Sequence, residues 1–338
     1  MKLLYAHNSS FKNTGLLQDL NAYQQVYKID NDGWCVDRTQ SITFPVGEKL
    51  LDAYKIPELS KSSFKEACEQ QANSILDLNV PVYIMWSGGI DSTALLVSFL
   101  SAGRSLENVT VILNYNSIKE YPEFYQQHIR GKLKIAVTDE MMLKMSYGTL
   151  DGIILSGEHA DQLIGSSNLD AEFLKQPFNY DTFKKFAQLK KFDPLTIDCW
   201  YYIYTETMKH SPRPIDTIYD FTWWHGFNFK WQAVALRIYA RINTSNQFKT
   251  FYSSSAFQSW SVNHTPGSLQ KLESKQIILD YTKDQKYFET KRKHPSSSLY
   301  FGKLADAAIT EQFIKIPHRM FDLKNHYCPD NSIIKFFN

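Results

Sequence analysis

The residues best suited to chemistry stand in one six-residue run, Ser87-Gly88-Gly89-Ile90-Asp91-Ser92. Gly88 and Gly89 carry no Cβ, so the backbone can approach an anion closely there and turn its N–H groups toward it. The hydroxyls of Ser87 and Ser92 add hydrogen-bond donors. Asp91, a carboxylate inside a phosphate cradle, makes chemical sense when a cation accompanies the phosphates. Mg²⁺ binds in that way, through one or two carboxylates plus substrate phosphate oxygens. The same letters also fit an ordinary loop followed by a helix cap, so the flanking elements decide between the two.

Those elements point to a nucleotide site. From Val80 the segment VPVYIMW is a continuous apolar run with β-branched and aromatic residues, the pattern of a strand covered on both faces in a parallel sheet. After the glycines, STALLVSFLSA is rich in helix formers and closes at Gly103. A strand, a glycine turn and a helix in that order aim backbone N–H groups and the positive end of a helix at a phosphate. The run resembles the pyrophosphate-binding loop, SGGxDS, of the PP-loop ATP pyrophosphatase superfamily. Its members cleave ATP between the α and β phosphates to give AMP and pyrophosphate, and they include asparagine, GMP and NAD synthetases, β-lactam synthetases and several tRNA-modifying enzymes.

A second candidate site begins at Gly152, where GIILS reads as a short strand running into GEHADQLIGSS. Glu158 and Asp161 are three apart and face one side of any helical turn; by itself this spacing also fits a solvated turn. SGEHADQLIG resembles the SGEGADELFGG element of the asparagine synthetase family, specifically its C-terminal synthetase domain. The resemblance implies that Ser156 and Gly157 contact the nucleotide, that Glu158 serves formation of the acyl-adenylate, and that Asp161 joins Asp91 around magnesium. Two positions depart from the family pattern: a glycine is His159 here, and the second acid is Gln162. Shape and charge beside the reacting carboxyl therefore differ, and aspartate does not follow as the substrate. The interval from Ser87 to Ser156 is also shorter than in the asparagine enzymes, so part of their substrate pocket is missing or rebuilt.

The third element, ESKQIILDYTKDQKYFETKRKHPSS, resembles the family's tKyiLRe…RpK segment. The resemblance places Lys275 at the lysine that reaches the pyrophosphate, and Lys291 and Lys293 where the later basic pair falls. Cleavage at the α phosphate builds charge on the leaving pyrophosphate, and a preplaced cation stabilises that transition state. The seven basic residues from Lys271 to Lys293 equally fit a solvated helix face.

The elements that must position these residues follow an alternating order. FKEACEQQANSIL reads as a helix, followed by VPVYIMW, the first helix after the glycines, VTVIL from Val109, a short strand LKIAV, the helix EMMLKMSYGTL, and GIILS. Alternating β and α elements imply an α/β fold with a doubly wound parallel sheet. Ligands in such sheets bind outside the carboxyl ends of the strands. That rule gathers Ser87–Ser92, Ser156–Asp161 and the residues after VTVIL, so Leu113 and Asn114 are expected beside the adenosine, and Trp86 to offer its backbone to the base. Residues 1–60 hold short alternating segments around Asp30-Asn31-Asp32-Gly33, a β-hairpin signal. Residues 61–338 form the synthetase-like part, with an α/β core over about 61–170 and a helical, aromatic part over about 171–338. In the latter, FNFKWQAVALRIYARI carries apolar residues at helical spacing, which fits core packing.

Composition sets bounds. The chain of 338 residues has a net charge of +2, 43% hydrophobic residues and four scattered cysteines, Cys35, Cys68, Cys199 and Cys328, with no CxxC pair. Nucleic acid binding is not indicated by that charge, and a membrane span by no apolar stretch of the required length. A reduced, cytoplasmic setting is expected, and neither a disulfide framework nor a zinc site. The N-terminal apolar stretch is too short for a signal peptide. Asparagine synthetases carry a glutaminase domain in front, with a cysteine as the mature first residue. Here Lys2 follows Met1 and about 60 residues are too few for that domain, so this chain is expected not to hydrolyse glutamine by itself.

The reading is an AMP-forming amide ligase using ATP and Mg²⁺, joining a small carboxylate to ammonia or an amine, the amine supplied free or by a separate donor protein. Two alternatives stay open: a PP-loop enzyme acting on a nucleobase or tRNA, although sulfur-transferring members generally use paired cysteines, or a nucleotide-binding module without catalysis.

Overall fold

The sheet follows from three apolar runs that are short, β-branched and uninterrupted. In the computed structural model, which describes residues 62–138, 150–165, 169–189, 197–231, 248–264 and 271–291 with Arg38 and Val234, they become β1 (Val82–Met85), β2 (Val109–Leu113) and, further along, β4 (Ile153–Ser156). Between them β3 (Lys134–Val137) forms an exposed edge, and β5 (Phe248–Thr250) forms the opposite one. The five strands are all parallel, in the order β3-β2-β1-β4-β5. The chain therefore runs outward from β1 in both directions, and the order reverses between β1 and β4. Their register pairs Val82 with Ile153 and Ile84 with Leu155, so both strands end at one level.

Helices flank this sheet. The first, α1 (Phe64–Leu76), starts at a capping box: the Glu66 N–H donates to the Ser63 hydroxyl, and the Ser63 N–H donates to the Glu66 carboxylate. It buries Phe64, Ala67, Cys68, Ala72 and Ile75 at helical spacing. Helix α2 (Ile90–Leu100) is buried from Ile90 to Phe99 apart from Asp91, because α1 packs on it from one side and a later helix from another. After β2 comes the short α3 (Tyr115–Glu120), and after β4 the short α4 (Ala160–Ile164). Beyond β5 the chain forms α5 (Ser255–Asn263), α6 (Leu272–Thr282) and α7 (Gln285–Thr290). Helix α6 is the second element that packs along α2.

The contacts divide the chain into two units. One is the α/β unit, drawn from 57–164 and 242–304, so that β5 and helices α5 to α7 rejoin the sheet after a long excursion. The other is drawn from 1–56, 165–241 and 305–338. Its described helices are Ala171–Leu174, Tyr180–Leu189, Ile197–Met208 and Ile218–Trp224, the last continuing as a π-helical turn over His225–Lys230. Their core is aromatic, as the sequence pattern implied: Phe183, Tyr204 and Phe221 meet edge to face, and the Tyr204 hydroxyl lies 2.8 Å from His225 Nδ1. The Arg38 guanidinium lies 4.6 Å from the Phe227 and Trp231 rings and donates to the Phe227 carbonyl. The hairpin expected within residues 1–60, the helix EMMLKMSYGTL beyond Asp139 and most of FNFKWQAVALRIYARI lie outside the described residues. Among the described residues no helix is long and apolar enough to cross a membrane.

Phe64 ties α1 to the elements that follow β5. Its ring centroid lies 4.8 Å from Trp260, 5.4 Å from Phe257 and 6.1 Å from Tyr252. Phe64→Ala is expected to lower the unfolding free energy by about 3–5 kcal/mol, read from urea denaturation. A loss below about 1 kcal/mol would mean that this cluster does not hold α1 to the sheet.

Candidate functional site

The turn from β1 into α2 is shaped by its own hydroxyls and by one left-handed residue. Gly88 has φ +75, and a Cβ there would stand 2.4 Å from the Ser117 carbonyl oxygen and 2.7 Å from Glu120 Cβ. No other residue type fits that turn without displacing α3. The Ser87 N–H donates to Ser92 Oγ at 3.0 Å, the two hydroxyls lie 2.8 Å apart, and the Gly89 N–H donates to Ser87 Oγ at 3.2 Å. The hydroxyls of Ser87 and Ser92 thus hold the loop's own shape. Gly89 is the N-cap of α2, and no side chain caps that end of the helix. This is the arrangement in which a helix N-terminus receives an anion.

The turn after β4 lies directly against the first. A Cβ on Gly157 would come within 3.0 Å of the Ser92 nitrogen, so only glycine lets the two backbones touch here. The Glu158 N–H donates to Ser156 Oγ at 3.3 Å, and Glu158 itself is half-buried at the turn. His159 follows with φ 71. Its buried ring places Nδ1 2.7 Å from Thr250 Oγ1 at the end of β5, so the third strand end is bound into the site. The Tyr252 hydroxyl then donates to the Asp91 carbonyl oxygen at 2.8 Å.

These constraints bring Asp91 and Asp161 onto one ammonium, that of Lys271. Lys271 Nζ lies 2.6 Å from Asp161 Oδ1 and also contacts Asp91 Oδ2. The lysine side chain is only 4% exposed, whereas Asp91 and Asp161 keep 24% and 33% of their side-chain surface open. Burial by itself would lower the Lys271 pKa; the charges and hydrogen bonds of Asp161 and Asp91 outweigh it and hold the amine above its ordinary value. The lysine is therefore charged throughout the physiological range.

A cation thus already lies between the two carboxylates, and their chemistry fits Mg²⁺. Among the described residues no cluster of three or more His, Cys, Asp or Glu could hold a metal by itself. Two carboxylates alone suit an ion that takes its remaining ligands from phosphate and water.

The other expected residues are distributed around this centre. Lys275 stands one turn beyond Lys271 in α6, buried, with its ammonium 5.4 Å from the Phe288 ring centroid. Lys271 is the lysine seen to meet both carboxylates. Lys291, at the end of α7, pairs with Glu120, the side chain that closes over Gly88. Lys293 lies outside the described residues. Leu113 is buried at the end of β2, and Asn114 caps α3 by accepting from the Ser117 N–H at 3.0 Å. The Trp86 N–H donates to the Ile112 carbonyl and its indole N–H to Thr93 Oγ1.

Sequence reasoning missed Thr250, Tyr252 and the role of Lys271. The last was one of seven basic residues with nothing to single it out. No protein-family model matches the chain, and no curated protein matches it.

The two glycines of the turn are expected to respond differently to substitution. Gly88→Ala combines left-handed strain with the clash against α3 and should cost about 1–3 kcal/mol of stability in urea unfolding. Gly89→Ala, with φ −75 and only Ser87 Oγ within 3.2 Å, should cost about 1 kcal/mol or less. Equal losses would refute the assignment of the left-handed turn to Gly88.

Proposed function

We propose that the chain is an ATP-dependent, AMP-forming amide ligase of the asparagine synthetase type, built on a PP-loop α/β fold. The observation that carries the reading is the meeting of two strand-end turns at the point where the strand order reverses, with Asp91 and Asp161 converging on a single cation. Crevices at such a reversal are where open α/β sheets bind their ligands. The uncapped start of α2, preceded by two glycines, supports the placement of a triphosphate beside that cation.

In this reading the backbone N–H groups of Gly88, Ile90 and Asp91 hold the pyrophosphate end of ATP, while Asp91 and Asp161 would hold Mg²⁺. When bound, the metal neutralises phosphate charge and orients the triphosphate. Ser156 and Gly157 border the nucleotide, and Leu113 is an apolar surface for the adenosine. A substrate carboxylate attacks the α phosphorus in line. The bond to the bridging oxygen breaks, giving an acyl-adenylate and pyrophosphate whose charge Lys275 balances, with Lys293 the further basic contact implied by the family pattern. Ammonia or an amine, free or delivered by a second protein, then adds to the activated carbonyl and expels AMP. In this reading Glu158, half-buried at the turn that carries Asp161, takes the amine's proton.

ATP labelled at the α phosphate, incubated with Mg²⁺, ammonium and pooled amino acids, is expected to give AMP with the wild-type protein. Asp91→Ala and Lys275→Ala should each reduce AMP formation by about a hundredfold or more while keeping the wild-type circular dichroism spectrum. Undiminished turnover by Asp91→Ala would sink the assignment of the site.

A further inference from the structure

Lys271 has no counterpart among the residues that the family resemblance assigns, yet it holds the centre of the site. It caps the start of α6 in a left-handed conformation, φ 52, and α6 packs along α2, the helix that carries Asp91. Its ammonium contacts both carboxylates and is almost wholly buried, while the carboxylates themselves remain partly open. An ammonium and a divalent ion cannot share the space between the same two oxygens. Mg²⁺ carries twice the charge of the ammonium, so exchange of one for the other is electrostatically feasible once phosphates are present to receive the released amine.

We propose that Lys271 is an internal cation that occupies the Asp91/Asp161 pair in the absence of nucleotide and excludes divalent metal, yielding the pair only when metal arrives with a triphosphate. This rests on the reading of those two aspartates as the magnesium carboxylates. It deepens that reading by making metal binding conditional on the nucleotide. Free Mg²⁺ must compete with a covalently tethered cation whose effective concentration is high. Metal with ATP brings phosphate oxygens that serve both the ion and the displaced ammonium. The held-back pair also explains how two aspartates can stand together before any ligand arrives.

The test uses Mn²⁺ without ATP, counting free ion by electron paramagnetic resonance and following thermal unfolding of the wild type, Lys271→Met, Lys271→Gln, and Lys271→Met combined with Asp91→Asn. Removing the ammonium should tighten Mn²⁺ binding by about tenfold or more in both single variants. It should also lower their melting temperature in metal-free buffer, with Mn²⁺ restoring much of the loss; the wild type should barely respond. Adding Asp91→Asn should abolish the gain. Unchanged or weaker Mn²⁺ binding in both single variants would overturn the proposal, as would failure of both to fold even in Mn²⁺, since the ion should replace the lost charge. No arm depends on turnover. A Mn²⁺ gain in a protein that makes no AMP keeps this inference and removes the ligase reading. AMP formation without a Mn²⁺ gain does the reverse.

Discussion

Two carboxylates delivered to one point by neighbouring parallel strands repel each other, and the site can exist only with a positive charge between them. Asp91 follows β1 and Asp161 follows β4, and the strands end at one level because Ile84 pairs with Leu155. The approach is made closer by Gly157, whose missing Cβ lets the second turn rest on the backbone of Asp91 and Ser92. At a few ångströms in a partly buried setting, like charges cost several kcal/mol without compensation. Lys271 supplies that compensation, and its own burial would in turn be prohibitive without the two acids. Each of the three is tolerable only because of the others.

The rest of the α/β unit maintains this balance. Helix α6 lies along α2 and sets the position from which Lys271 reaches across. Tyr252 fixes the backbone of Asp91 from the β5 side. Phe64 packs on Tyr252, so α1, the turn after β5 and the Asp91 carbonyl form one connected chain of contacts. The return of residues beyond 242 to the sheet is therefore required by the site: β5, Tyr252 and Lys271 all come from after the inserted unit. A sheet limited to β1 through β4 would have the two acids without their counter-ion.

The parts of this architecture that show in the sequence are those with local physical signatures. The runs at 82–85, 109–113 and 153–156 are mostly apolar because both faces are largely covered. What does not show depends on long-range packing. β5 is three residues with a lysine in the middle, too short for any period, and it pairs with β4 across a long insertion. Lys271, the N-cap of α6, has no spacing signal of its own; the packing of α6 on α2 brings it to the acids.

His159 and Gln162, the two departures from the resembled element, are consistent with this charge balance. A left-handed conformation costs a residue with a Cβ about 1–2 kcal/mol, which is why glycine is the usual occupant of such a turn. His159 adopts it at φ 71 and recovers the cost by burying its ring and hydrogen-bonding Thr250. A side-chain anchor to β5 thus replaces backbone freedom, and the turn carrying Glu158 and Asp161 becomes fixed to a third strand. Gln162 is buried beside Asp161. An acid in its place would bury a further carboxylate next to Asp161 in the chain, and a buried carboxylate without a partner is strongly disfavoured. A neutral amide at that position avoids this cost.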